Sequence, residues 1–193
     1  GRDAVLKGID LEIPRGRTTA IAGESGCGKS TVVNMLLRFY DAQSGRITLN
    51  GRDYLSLTPQ ELRRQIIMVP QSVFIFSGTL RQNLLIAREH ATEAELWEAL
   101  EQVRLRDWVL CQPEGLDAPV GDAGARLSGG QRQKIGIARA LLSRSEYIIF
   151  DEATSSVDES SEQEIWSCIG ELAETRTLII ISHRLSTIRH ADR

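Results

Sequence analysis

Eight consecutive residues, Gly23-Glu24-Ser25-Gly26-Cys27-Gly28-Lys29-Ser30, set three glycines, a lysine and a hydroxyl at the spacing of a phosphate-binding loop. Glycines let the backbone wrap closely round an anion, so that successive N–H groups point inward, and a following helix adds its positive end. Lys29 then reaches the β- and γ-phosphates, and the Ser30 hydroxyl, with Thr31 behind it, meets a Mg²⁺ ion. Cys27 fills a free position of the pattern.

A second group of reactive residues stands at a strand end. Tyr147-Ile148-Ile149-Phe150 delivers Asp151-Glu152 to the carboxyl edge, where open α/β sheets place ligands. Neighbouring carboxylates there diverge. Asp151 is predicted to hold the metal shell, and Glu152 to face the γ-phosphate and polarise a water. Alone, the pair also reads as a solvated acidic turn. A phosphate loop in the same chain favours the metal, because such enzymes need a strand-borne aspartate.

The third group is Leu127-Ser128-Gly129-Gly130-Gln131. Ser-x-x-Gln is a capping box. A plain cap has no use for two glycines in the first turn, where each destabilises a helix by roughly 0.5–1 kcal/mol relative to alanine. Bare backbone at that place suits a helix N-terminus offered to an anion.

The elements that must carry these groups follow from periodicity. Ile9, Leu11 and Ile13 alternate as a half-buried strand does, and Thr18 to Ala22 runs as a second strand into the glycine loop. A helix follows with Val32, Val33, Leu36 and Leu37 inward. Asn50-Gly51 closes a hairpin, and Thr58-Pro59-Gln60-Glu61 starts a helix. Ile66 to Val69 is a buried strand. The pattern then turns helical to about Leu142, with a capping box at Thr92 and Glu95, before strands return at Tyr147 to Asp151 and Thr177 to Ser182, flanking a helix from about Asp158 to Ala173. Uninterrupted apolar strands imply burial on both faces, as in parallel sheets. The predicted fold is α/β: a P-loop NTPase core with a mostly parallel sheet, N-terminal antiparallel strands and an inserted helical lobe. Residues of about 1–71 and 143–193 would form the core and about 72–142 the lobe.

Bulk properties exclude several classes. The 193 residues are 41% hydrophobic and 25% charged, ordinary for a globular domain. A net charge of −3 gives no basic stripe for nucleic acid. Cys27, Cys111 and Cys168 are too scattered for a disulfide framework or a metal site. No apolar run nears the roughly 20 residues that cross a bilayer. Gly1 opens almost inside a strand pattern and Asp192-Arg193 follows a helical one, the reading of a piece of a longer chain.

Taken in order, these segments resemble the ATP-binding domains of ABC transporters, over nearly the whole length. Gly23 to Ser30 resembles Walker A, Gln71 the Q-loop and Leu127 to Gln131 the signature. Tyr147 to Asp151 resembles Walker B, Glu152 the catalytic glutamate, Ser155-Ser156-Val157-Asp158 the D-loop and His183 the switch histidine. The resemblance implies ATP and Mg²⁺ as ligands, and head-to-tail pairing with a second nucleotide-binding domain. Ser128 to Gln131 and Asp158 would then approach ATP held by the partner's phosphate loop. Gln71 would sense metal and attacking water, and His183 would hold the γ-phosphate. By themselves, His183 and Gln71 also read as ordinary loop residues, and Asp158 as an N-cap. Phe74 to Asn83 and Ser182 to Ile188 resemble exporters, implying a transmembrane domain on the same or another chain and a place on the cytoplasmic face of the membrane. Exporters usually carry glutamate where Asp122 stands in Val120-Gly121-Asp122-Ala123-Gly124. The family's adenine-stacking aromatic lies upstream of Val5. Tyr40 and Tyr54 are not at that place. Soluble ABC ATPases of DNA repair or translation, and an inactive binding-only cassette, remain the other readings.

Overall fold

Strands without polar alternation need cover on both faces, and the computed structural model supplies it. It describes residues 5–24, 26–155, 157–183, 189 and 191–192. The central sheet has the order β1 (Thr18–Ala22), β6 (Thr177–Ser182), β5 (Tyr147–Asp151), β4 (Ile66–Val69), all parallel. Successive side chains along a strand face opposite ways. Ile148, Phe150, Leu178 and Ile180 join one core with Leu100, Ile135 and Ile165. Tyr147, Ile149, Ile179 and Ile181 join the other with Val33, Tyr54 and Leu62.

The helices cover both layers. α1 (Lys29–Leu36) and α2 (Pro59–Gln65) lie with the second core, beside the hairpin of β2 (Thr48–Leu49) and β3 (Arg52–Asp53). Asn50 and Gly51 take φ of 50° and 78°, as a two-residue turn of this kind demands. Between β4 and β5 come α3 (Leu80–Leu85), α4 (Glu93–Gln102), α5 (Arg106–Leu110) and α6 (Gly129–Ser143); α7 (Glu159–Ala173) joins β5 to β6. Helix α6 packs against α3 and α4 on one side and β4 and α7 on the other. Capping boxes start α2, α3, α4 and α6. Of the described helices, none is long and apolar enough to cross a membrane.

Two expectations change. Ile9, Leu11 and Ile13 form no strand: Ile9 and Leu11 are exposed, and Ile13 packs on the second core. Alternation selects a face, but a strand also needs an edge to pair with. The adjacent β2 and β3 are two residues each and pair with one another. In α1, only Val33 of the four apolar positions is fully buried, with Leu36 and Leu37 partly so. Tyr54 is buried, its hydroxyl donating to the Leu36 carbonyl at 2.7 Å, and Tyr40 is exposed.

The segment after β4 is tied down by a buried polar network. Asn83, with no exposed surface, donates to the carbonyls of Phe76 and Thr79 and accepts from the Phe76 N–H. Arg139 of α6 donates to the Asn83 and Phe74 carbonyls and to Asn83 Oδ1. Arg139 Nε, Nη1 and Nη2 each find an acceptor, which offsets part of the burial that lowers the Arg139 pKa.

Candidate functional site

The parallel register brings the reactive groups to one edge. β1 ends level with Ser182 and Asp151 lies level with Ile181, so Gly23, Glu152 and His183 all leave the sheet on the same side. Val69 pairs with Phe150, which places Pro70-Gln71 on the neighbouring strand's exit. A cleft of about 480 Å³ opens there. It is lined by Gly26, Gly28, Lys29, Ser30 and Thr31 from the loop and α1, by Glu152 and His183 from the strand ends, and by Val5 at the rim.

The loop presents bare backbone at the start of α1. Gly28 takes φ 103° as N-cap of α1 with no side-chain cap, and a Cβ there would meet Leu6 Cδ2 at 2.8 Å. No carboxylate stands in the first turn of α1. Lys29 folds back over the loop, its ammonium donating to the carbonyls of Gly23 and Glu24 at 2.7 and 2.8 Å. The amine therefore sits at the loop's centre, on neutral acceptors that a phosphate oxygen can replace. Gly23 lets Cys27 Sγ approach, where a side chain would clash at 2.7 Å. Ser25 lies outside the described residues.

Opposite the loop, Asp151 is half-buried and Glu152 follows it into the cleft. Burial pushes the Asp151 carboxyl above the usual carboxylate range, the charge of Glu152 adds to this, and Lys29 offsets part of it. His183 Nδ1 and Glu152 Oε1 lie 2.9 Å apart. Gln71 is exposed in the turn beyond β4, whose Pro70 carbonyl accepts from Gln133 Nε2 of α6 at 3.2 Å.

The signature segment stands elsewhere. Ser128 is the exposed N-cap of α6, its Oγ accepting from Gln131 N–H at 3.1 Å while its own N–H donates to Gln131 Oε1 at 2.9 Å. Gly129 and Gly130 form a first turn without acid. Gly130 is buried against α7, where a Cβ would lie 2.5 Å from Ser161 Oγ, so its bareness also has a packing cause. Helix α7 differs: Asp158 caps it and Glu159 and Glu162 fill its first turn, so anions are unwelcome. The Asp158 carboxylate accepts from the Ser160 hydroxyl and from the N–H and hydroxyl of Ser161, which hold its pKa low. Neither Ser128 to Gln131 nor Asp158 lines the cleft around Lys29. Ser156 and Arg184 to Ile188 lie outside the described residues. Asp122 is exposed and accepts from the Ser77 hydroxyl at 3.2 Å.

Sequence reasoning missed two features of this site. Val5 reaches the cleft, and the loop beyond Glu152 is held by Thr154 and Glu162, which belong to none of the motifs read above.

Comparison with known proteins identifies the family. The family model described as "ABC transporter" matches residues 6–155. The chain is 46% identical over 187 residues to the ATP-dependent lipid A-core flippase of Saccharophagus degradans, covering 97% of this chain and 32% of that protein. It is 45% identical over 192 residues to Multidrug resistance protein 1 of Entamoeba histolytica, covering 98% of this chain and 15% of the relative. A solved structure described as a bacterial Atm1-family ABC exporter with ATP bound superposes with a TM-score of 0.90 at 40% identity, covering 97% of this chain and 33% of that one. The chain thus spans about a third or less of each of these relatives.

Proposed function

The chain belongs to the ABC transporter family as one of its ATP-binding domains, and on that premise we propose that two such domains, meeting head to tail, hydrolyse ATP to drive export by a membrane-spanning partner. The observation that carries this is the separation of two anion-binding helix starts. Lys29 with α1 lines the cleft, whereas the exposed Ser128 at the start of α6 is not among its lining residues. A second copy brings its own Ser128 to Gln131 segment over the Lys29 cleft. Residues of about 72–142 act as the lobe that carries this segment.

The residues fit a magnesium nucleotide. Ser30 and Asp151 are hard oxygen donors, Gln71 follows the neighbouring strand, and the burial and the Glu152 charge that raise the Asp151 pKa are what a cation would offset. Ser30 and Asp151 would hold the Mg²⁺ ion, which would supply neutralisation of phosphate charge. The chain's own residues do the rest. Lys29 exchanges the Gly23 and Glu24 carbonyls for phosphate oxygens. Glu152 orients a water and takes its proton as the oxygen bonds to the γ-phosphorus and the bond to the leaving ADP oxygen breaks. His183, set against Glu152, holds that carboxylate and the γ-phosphate together. The relatives' names favour export, and by analogy the domain works at the cytoplasmic face.

The test is phosphate release from Mg-ATP across a dilution series of the chain. The rate per chain is expected to rise with protein concentration and level off once pairs dominate, because each site needs two copies. A rate per chain independent of dilution at saturating ATP places the whole site in one copy and contradicts the proposal.

A further inference from the structure

Glu152 holds a backbone conformation that a non-glycine residue seldom keeps, with φ 49°. Such strain costs of order 1–3 kcal/mol and persists only where the surroundings over-determine it. Part of the restraint is local. Its N–H donates to the Ile181 carbonyl at 3.0 Å, and its own carbonyl accepts the N–H and hydroxyl of Ser155 at 3.0 and 2.9 Å. Further bonds tie the same turn to α7. Thr154, only 4% exposed, donates its hydroxyl to Glu162 Oε1 at 3.0 Å. The same oxygen accepts the Trp166 indole N–H at 3.4 Å. Glu162 lies in the first turn of α7. A narrow gap beside this anchor is lined by Glu152, Thr154, Ser155, Trp166 and His183.

We propose that Glu162 is a positioning residue for hydrolysis: through Thr154 it fixes the 152–155 turn, and so aims the Glu152 carboxylate at the attacking water. The inference rests on Glu152 acting as base. Nucleotide itself is held by the Lys29 loop on the other side of the cleft, so loss of the anchor alters the aim of the base and spares binding. A purely structural role for the same hydrogen bond would lower thermal stability and leave the catalytic rate of the folded protein alone.

The experiment compares Thr154→Val, which removes the donor at nearly constant shape, with Thr154→Ser, which keeps it, in the 193-residue chain. ATP affinity is read by calorimetry and kcat by phosphate release at saturating Mg-ATP. Thr154→Val is expected to lose about tenfold in kcat, the scale of a small misplacement of a reacting group, with Kd within about twofold of wild type. Thr154→Ser is expected to return to within about twofold of wild-type kcat. Glu162→Ala should repeat the loss and Glu162→Gln, which retains the acceptor, should recover most of it, so the test stands even where Thr154→Val does not fold. A wild-type kcat in both Thr154→Val and Glu162→Ala overturns the inference. So does a loss that serine and glutamine fail to restore, or a parallel loss of ATP affinity. A wild-type chain that binds ATP but releases no phosphate sinks the hydrolytic reading itself, a different result.

Discussion

Replacing Glu152 by glutamine is expected to lower ATP turnover by about 10²–10³-fold while ATP still binds, the scale at which a general base contributes to proton transfer. Glutamine keeps the length, shape and oxygen that face His183 Nδ1 across 2.9 Å, so the local hydrogen bonding survives. What disappears is the basic carboxylate. Binding is expected to stay equal or tighten slightly. Glu152 and Asp151 are adjacent negative groups near the site of a polyanion, and the Glu152 charge already raises the Asp151 pKa. Removing one of them reduces repulsion of the γ-phosphate. Phosphate release and calorimetric Kd, measured together, separate the two effects. Hydrolysis within a few-fold of wild type would take the role of base away from Glu152.

The second large effect lies across the cleft. Lys29→Met keeps the aliphatic stem and removes the ammonium, and the ATP dissociation constant is expected to rise about 10–100-fold. That is the worth of a charge-assisted hydrogen bond of about 1.5–3 kcal/mol. The free protein should tolerate the change: Lys29 is a partly exposed group whose partners here are the Gly23 and Glu24 carbonyls. Thermal unfolding without nucleotide should therefore shift little, while the stabilisation that ATP confers on wild type should largely vanish. An unchanged dissociation constant would show that the loop backbone alone sets affinity.

Much of this site was legible because its chemistry is local in sequence. The loop from Gly23 to Ser30, the acidic pair after Phe150 and the Ser128 cap each occupy a few adjacent residues whose spacing is imposed by one ligand or one helix turn. The strands at 66–69, 147–151 and 177–182 were equally plain, since both their faces are buried and no polar residue interrupts them. What escaped depends on distance along the chain. Thr154 meets Glu162 across a turn, and Arg139 meets Asn83 across 56 positions; neither pairing leaves a periodic trace. The alternation at Ile9, Leu11 and Ile13 was real, but its reading as a strand assumed a pairing edge that the two-residue β2 and β3 do not offer. Gly130 has a second cause that its own segment does not reveal: the close approach of Ser161 from α7.

The account turns on one nucleotide being shared between the Lys29 loop of one copy and the Ser128 helix start of another. Mixing two inactive chains tests it most directly: Lys29→Met, which spoils the loop, and Ser128→Arg, which places a long side chain over the exposed start of α6. Each alone repeats its single lesion at both sites by symmetry and is expected to release little phosphate. In a mixed pair, both lesions fall on one site and leave the other whole, so an equal mixture should recover up to about a quarter of the wild-type rate. A mixture no faster than the sum of its two parts would contradict the shared site.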